Sequence, residues 1–221
     1  MAYASADSSL YALVKNSPPY RLAKGQVVHA LDDRSKFNLI VSGYIKRYMI
    51  TNEGNESIQV IYGPGNFFPL PPVLKTIFEM DIYRGPETYY YESMTDIVVH
   101  SVNLDTLEQA LASDSSIYKD LLFIAGTRLN SYIHRLEDSS LSSSTWRVAH
   151  QLLFLADQFG ETTDEGIRIQ LPLTHQDLAD ILNVSRETVS RSLSNLREKK
   201  LIIAGQHIII PNIDTLKELY S

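Results

Sequence analysis

Apolar residues recur along this chain with two different periods. From Gly25 to Val102 they fall in short blocks rich in Val, Ile, Tyr and Phe: Gln26–Leu31, Phe37–Val41, Tyr44–Thr51, Ser57–Tyr62, Thr88–Glu92 and Ile97–Val102. Turn-forming runs separate them, among them Ser42-Gly43, Asn52-Glu-Gly-Asn55 and Gly63-Pro-Gly-Asn66. Short strand-like blocks with polar turns predict an antiparallel β-roll or jelly roll. Gly63-x-Gly65 lacks the third glycine and the following helix of a phosphate loop, and reads as a plain turn. A short helix is expected before the strands, from Ser8 to Lys15.

From Leu104 the period becomes helical. Tyr118, Leu122, Ala125, Leu129, Tyr132 and Leu136 advance by 4, 3, 4, 3 and 4, a seam of almost three heptads. Ile117, Leu121, Ile124 and Ile133 add a second apolar face. One face suffices to pack a helix on its own domain, so the second predicts a partner. We expect a long central helix that packs on the β-roll and pairs with its twin. The run Ser139-Ser-Leu-Ser-Ser-Ser-Thr145 breaks the composition, and serine competes for its own backbone, which marks a hinge. Beyond it, Trp146–Phe159 is an amphipathic helix. A turn from Gly160 to Gly166 and a strand over Ile167–Leu171 come next. Residues 202–211 are two strands around a tight glycine turn, a wing, and a short helix from about Asp214 closes the chain. The expected class is thus α+β: an antiparallel β-roll over 1–103, a helical region with the dimerisation helix over 104–138, a hinge at 139–145, and a winged helix-turn-helix over 146–221.

Leu173 to Leu201 carries the most specific pattern. A helix is expected from Gln176 to Leu182, with Thr174 as N-cap and Asp177 three residues on, a capping box. Asn183 stands where a turn wants tolerance of left-handed dihedrals. A second helix follows Ser185, another N-cap type, and runs through Arg197. Leu178, Ala179, Leu182, Val184, Val189, Leu193 and Leu196 form one apolar set. This is a helix-turn-helix, whose second helix enters the major groove of double-stranded DNA. Arg186, Glu187 and Arg191 project from the face the core does not use. Arginine can bond guanine O6 and N7 with two donors, and glutamate can accept from cytosine N4. Ser185 and Thr188 are short donors placed for phosphates.

The same stretch, Ser185-Arg-Glu-Thr-Val-Ser-Arg191, resembles the recognition helix of the cyclic-AMP receptor protein branch of the CRP/FNR regulator family. The resemblance extends from about Leu10 to Pro211, strong in the last 50 residues and loose before them. It implies a homodimer on a palindromic operator with TGTGA-type half-sites read by Arg186, Glu187 and Arg191. It also implies phosphate contacts from Thr174, Gln176, Ser185 and Thr188, with His207 where the family often has a basic residue. RNA polymerase is a further candidate partner. LIVSGYIKRYMI followed by GPGNFFP resembles the β-roll of cyclic-nucleotide-binding domains.

In that family a Gly-Glu helix turn holds the ribose, an Arg followed by a small hydroxyl residue holds the phosphate, and hydroxyls on the long helix hold the base. Here Pro69, Pro71 and Pro72 replace the Gly-Glu turn, Gly85-Pro86 follows Arg84, and the helix offers Tyr132 and Ile133. Cyclic AMP is therefore not the expected switch. Phe67, Phe68, Phe78, Tyr83, Tyr89, Tyr90 and Tyr91 crowd the region instead. They either fill the hollow or line a site for a more apolar ligand. The effector-pocket candidates are Phe68, Arg84, Tyr89, Tyr91 and Tyr132, with Lys75 and Arg84 nearest for an anion. The effector itself is unnamed.

The net charge of −6 argues against a general polyanion binder. Between Ser185 and Lys200, however, five Lys/Arg face two Glu, a local excess of +3 that suffices for a footprint on DNA. The absence of cysteine excludes a disulfide framework, Cys-ligated clusters and thiol redox sensing. The six histidines, at 29, 100, 134, 150, 175 and 207, show no metal-ligand spacing, so neither a metal nor a cofactor is expected. No nucleophile–base or Walker pattern supports an enzyme. Neither a signal peptide nor a membrane span is expected, which makes the protein cytoplasmic. A winged helix that contacts protein rather than DNA is the alternative, and it has no need of the exposed arginines.

Overall fold

The structure is a computed structural model that describes residues 8–29, 36–78, 89–140 and 143–218. In chain order its elements are helix α1 (Ser9–Lys15), strands β1 (Tyr20–Leu22), β2 (Val27–His29), β3 (Lys36–Ser42), β4 (Ile45–Ile50), β5 (Glu56–Tyr62) and β6 (Phe67–Phe68), helix α2 (Leu70–Phe78), strands β7 (Tyr90–Ser93) and β8 (Ile97–Asn103), and helices α3 (Leu104–Ser113), α4 (Ser116–Ser140) and α5 (Ser144–Phe159). Strands β9 (Gly160–Thr163) and β10 (Gly166–Ile169), helices α6 (His175–Leu182) and α7 (Arg186–Glu198), strands β11 (Ile203–Ala204) and β12 (Ile208–Ile210), and helix α8 (Ile213–Lys217) follow. The chain divides into two compact units, residues 2–129 and 130–221.

The first unit holds two four-stranded antiparallel sheets, ordered β1-β8-β3-β6 and β2-β7-β4-β5. Strand β3 packs on both of its faces, so its apolar residues do not simply alternate with exposed polar ones. Phe37 and Leu39 face a core made with α1, α2, α3 and α4, while Ile40 faces the space between the sheets. A strand covered on both faces carries apolar residues on both, and the buried Asn38 is accommodated by donating to the Phe68 carbonyl and accepting from the Ser101 hydroxyl. Phe67 and Phe68 divide likewise: Phe67 stacks on Phe37 at 5.2 Å, whereas Phe68 joins Tyr62 and Tyr91 between the sheets. Each such fully buried side chain contributes about 1.5–3 kcal/mol. Gly43 turns β3 into β4 at φ 84, and a Cβ there would collide with the carbonyl oxygen of Asp96.

Helix α4 presents two faces. Ile117, Leu121 and Ile124 are buried, and the buried stripe continues through Arg128 and Ser131. Ile133, expected on this face, is exposed instead, because it falls off the 4-3-4-3 spacing that ends at Ser131. On the other side Leu122 is 73 % exposed, Leu129 60 % and Leu136 70 %, with Tyr118, Phe123 and Tyr132 also exposed. Ala125 is half-buried.

Other local features add to the sequence reading. The segment after Phe68 forms α2 despite its prolines. Pro71 and Pro72 lie in the helix's first turn, where the missing N–H groups have no partner to lose. The expected turn over 160–166 contains β9, which pairs with β10 from Gly160↔Ile169 to Thr163↔Gly166. Of the serine run, Ser140 ends α4, and Ser144 starts α5 after its N-cap Ser143, while 141 and 142 lie outside the described residues. No helix among the described residues is long and apolar enough to cross a membrane.

Candidate nucleic-acid interface

In the second unit, α5 packs against α6, α7 and the sheet β11-β12-β10-β9. Val148, Leu152 and Leu155 supply its buried stripe; Leu178, Ala179 and Leu182 of α6 and Val189, Leu193 and Leu196 of α7 are buried too. The order α6, turn, α7, β11, β12 is that of a winged helix-turn-helix.

Local chemistry fixes the turn. Thr174 caps α6: its hydroxyl accepts from the Asp177 backbone N–H at 3.0 Å, and the Asp177 carboxylate accepts from the Thr174 N–H at 2.9 Å. Asn183 closes the helix at φ 51, ψ 53, the left-handed region that few residues tolerate. From α5, the Arg147 guanidinium donates to the carbonyl of Leu182, one of the orphan acceptors at the end of α6. Ser185 then caps α7, accepting from the Thr188 N–H at 3.2 Å.

This arrangement leaves Arg186, Glu187 and Arg191 exposed on α7. Glu187 and Arg191 are four apart and share a face. A hydrogen bond from its own backbone N–H, then one from the Ser185 hydroxyl and the charges of the two arginines, hold the Glu187 carboxyl below its ordinary value, so it remains an ionised acceptor. Thr174, Gln176 and Ser185 are exposed as well, and Thr188 is half-buried, with its Oγ1 3.0 Å from Ser185 Oγ. Gln176 donates to Asp180 Oδ1 at 2.7 Å. His207 lies half-buried between β11 and β12, with its Nδ1 turned away from solvent. One contact was not foreseen. His175 Nδ1 lies 2.8 Å from Ser190 Oγ, tying the first residue of α6 to the exposed side of α7. The pairing depends on how the helices cross, which sequence spacing does not show.

The first unit brings together part of the expected effector set. Phe68 and Tyr91 lie 5.5 Å apart, Tyr62 lies 5.6 Å and 6.2 Å from them, and Tyr89 packs against the same core. Tyr132 is exposed on α4, and Lys75 is exposed on α2. Arg84 lies outside the described residues. Two charged residues absent from the expected set belong there: Arg47, 3 % exposed, stacks over Tyr89, and Arg128, 7 % exposed, over Tyr62, each at 4.5 Å. Burial, then Tyr62, push the Tyr91 hydroxyl well above its ordinary value against the opposing effect of Arg47.

The histidines are not all scattered. His134 and His150 stack, and Glu137 joins them. The two rings come from helices on either side of the short break after α4, so their separation in sequence hides the pairing.

Residues 147–219 match the family model of the Crp-like helix-turn-helix domain. A global nitrogen regulator from a Nostoc species is 31 % identical over 171 residues, 77 % of this chain and 74 % of that protein. A CRP-like cAMP-activated global transcriptional regulator from Mycobacterium tuberculosis is 28 % identical over 212 residues, covering 95 % of this chain and 91 % of its own. Among solved structures, FixK2 from Bradyrhizobium japonicum superposes with a TM-score of 0.74 at 20 % identity, over 92 % of this chain and 96 % of that one.

Proposed function

The chain belongs to the CRP/FNR family of DNA-binding transcription regulators, and from that premise we propose that it acts as a homodimer on a palindromic, TGTGA-like operator without control by cyclic AMP. The observation that carries the reading is the doubly capped helix pair. Thr174, Asn183 and Ser185 fix the turn, and Arg186, Glu187 and Arg191 remain exposed beyond it. The two arginines meet guanines and Glu187 meets a cytosine amine. Thr174, Gln176, Ser185 and Thr188 meet phosphates, and His207 does so through the wing. A protein-contacting winged helix gains nothing from that charge pattern.

Dimerisation is supported by the exposed stripe of α4. A single chain that leaves Leu122, Leu129 and Leu136 in water gives up several kcal/mol of apolar burial that a twin helix supplies. Pairing also places two reading helices one helical turn apart on the operator. In this reading residues 1–103 are the sensor, 104–138 carry the dimer seam, 139–145 the hinge and 146–221 the DNA-binding domain. The protein works in the cytoplasm, with RNA polymerase a candidate partner.

The Mycobacterium relative is named as cAMP-activated. In this chain Tyr62, Phe68 and Tyr91 are packed against one another and buried, which supports a hollow filled by its own side chains. The buried guanidiniums of Arg47 over Tyr89 and Arg128 over Tyr62 favour a second reading, control by a small non-nucleotide ligand.

Operator selection on the purified protein, with and without cyclic AMP and cyclic GMP, tests both parts. Symmetric G·C-containing half-sites are expected. Either nucleotide is expected to change operator affinity by less than about threefold, roughly 0.7 kcal/mol. Selected sites without symmetry overturn the dimeric reading. Micromolar nucleotide affinity with a tenfold or larger gain overturns the independence from cyclic AMP.

A further inference from the structure

Three side chains of metal-binding type converge where the end of α4 meets α5. His134 and Glu137, three residues apart, share a face of α4, and His150 approaches from the second turn of α5. One ligand atom from each, two imidazole nitrogens and a carboxylate oxygen, lie within 4.8 Å of one another. The His134 ring is stacked with His150 at 4.1 Å and with Phe154 at 4.2 Å. His134 and His150 are half-buried, His134 Nε2 is shielded from water, and Glu137 is exposed.

We propose that His134, Glu137 and His150 form a site for one divalent transition-metal ion, which joins the C-terminal end of α4 to α5.

The donor set selects the class of ion. Two imidazoles and one carboxylate suit zinc and its neighbours, whereas calcium and magnesium need mostly oxygen and copper(I) needs sulfur. An exposed carboxylate on one side leaves room for water as a fourth ligand. Bonds of about 2.0–2.2 Å in a tetrahedron set ligand atoms roughly 3.3 Å apart. The present spacing thus closes by at most ~1.5 Å. Rotation of Glu137 supplies part of this, and the two rings tilt out of their stack so that both lone pairs converge. Phe154 limits how far His134 turns and keeps water from that side.

The functional consequence is a strap between α4 and α5. Helix α5 packs on the reading helix α7, so an ion that fixes α5 against the end of α4 affects how α7 is presented.

The test uses untagged full-length protein and zinc titrated against a chromophoric chelator. One zinc per chain is expected, with cobalt giving the visible absorption of a tetrahedral centre. His134→Gln and His150→Asn should each weaken zinc binding by at least about tenfold, and Glu137→Gln, on an exposed side chain, should weaken it without disturbing the fold. Circular dichroism checks that each variant is folded. Zinc binding that is not stoichiometric, or that survives His150→Asn in a folded protein, overturns the proposal, since surface histidines elsewhere then account for it. Because this readout needs no DNA, its outcome is separate from that of the operator selection.

Discussion

The guanidinium of Arg128 lies over the ring of Tyr62, 4.5 Å from its centroid, and both side chains are buried. Arg128 occupies the place on α4 that a leucine would fill in a plain amphipathic helix. It fixes the helix on the β-roll by a cation–π contact and by the packing of its aliphatic stem.

Arg128→Ala should therefore destabilise the first unit by about 2–3 kcal/mol, and Arg128→Met by less, since it keeps the stem. Urea unfolding followed by tyrosine fluorescence measures both. Equal losses for the two variants would show that the charge, not the packing, carries the contact.

Leu129 is exposed in the single chain, so Leu129→Glu should leave folding intact. Against a twin helix the same charge is buried without a partner, at a cost of several kcal/mol. Sedimentation velocity is expected to show a folded monomer with weak operator binding. A wild-type protein that sediments as a monomer at micromolar concentration refutes the seam.

Arg191→Ala should cost about 1–3 kcal/mol on the selected operator and relax the preference at one guanine. Thr188→Ala should weaken binding to all sequences alike. Ser185→Ala is a poorer probe, because Ser185 also caps α7 and its loss costs the helix about 1 kcal/mol. Competition assays on single-base operator variants separate the two kinds of effect. Unchanged discrimination in Arg191→Ala would remove that residue from the reading face.

Lys46 bridges Glu56 at 2.8 Å and Glu92 at 3.2 Å across three strands. Burial acts to lower its pKa, but Glu56 and Glu92 together outweigh it, so the ammonium titrates above its ordinary value. Its contribution is then fully present below the unfolded-state value of about 10.4 and is lost as the pH rises through the higher folded value. Stability of the first unit should fall as the pH rises above about 10.4, and Lys46→Met should make that fall shallower. The remaining slope comes from Tyr44, Tyr48 and Tyr91, each raised chiefly by burial. At neutral pH the substitution should cost only ~1 kcal/mol, because both carboxylates keep part of their solvent. Urea midpoints across the range test the slopes, and parallel curves for the two proteins would contradict this account.

The helix-turn-helix was legible because its determinants are local. Thr174 and Asp177 are three residues apart, Asn183 ends α6, and Ser185 starts α7, so each signal acts within one turn of chain. Most strands were legible by composition. The short strands β1 and β6 were missed because two or three residues carry no period, and α2 because its prolines sit in the one helical turn that accepts them. Arg47 and Arg128 were overlooked because a charged residue in a strand or helix reads as a solvent-facing position. Only tertiary packing turns them onto Tyr89 and Tyr62. The meeting of His134 with His150 depends on how α5 lies against the end of α4, which no local spacing encodes.

Gly160 joins α5 to β9 with no intervening residue, and any side chain there would strike the carbonyl oxygen of Ala156 and the Ile167 side chain. At its other end α5 grips the turn through Arg147 and Leu182, and along its length it packs on α7. The reading helix thus has no independent suspension. A torque applied to α5 would be passed through this packing to α7 and would re-aim Arg186 and Arg191, which makes α5 the steering arm of the helix pair.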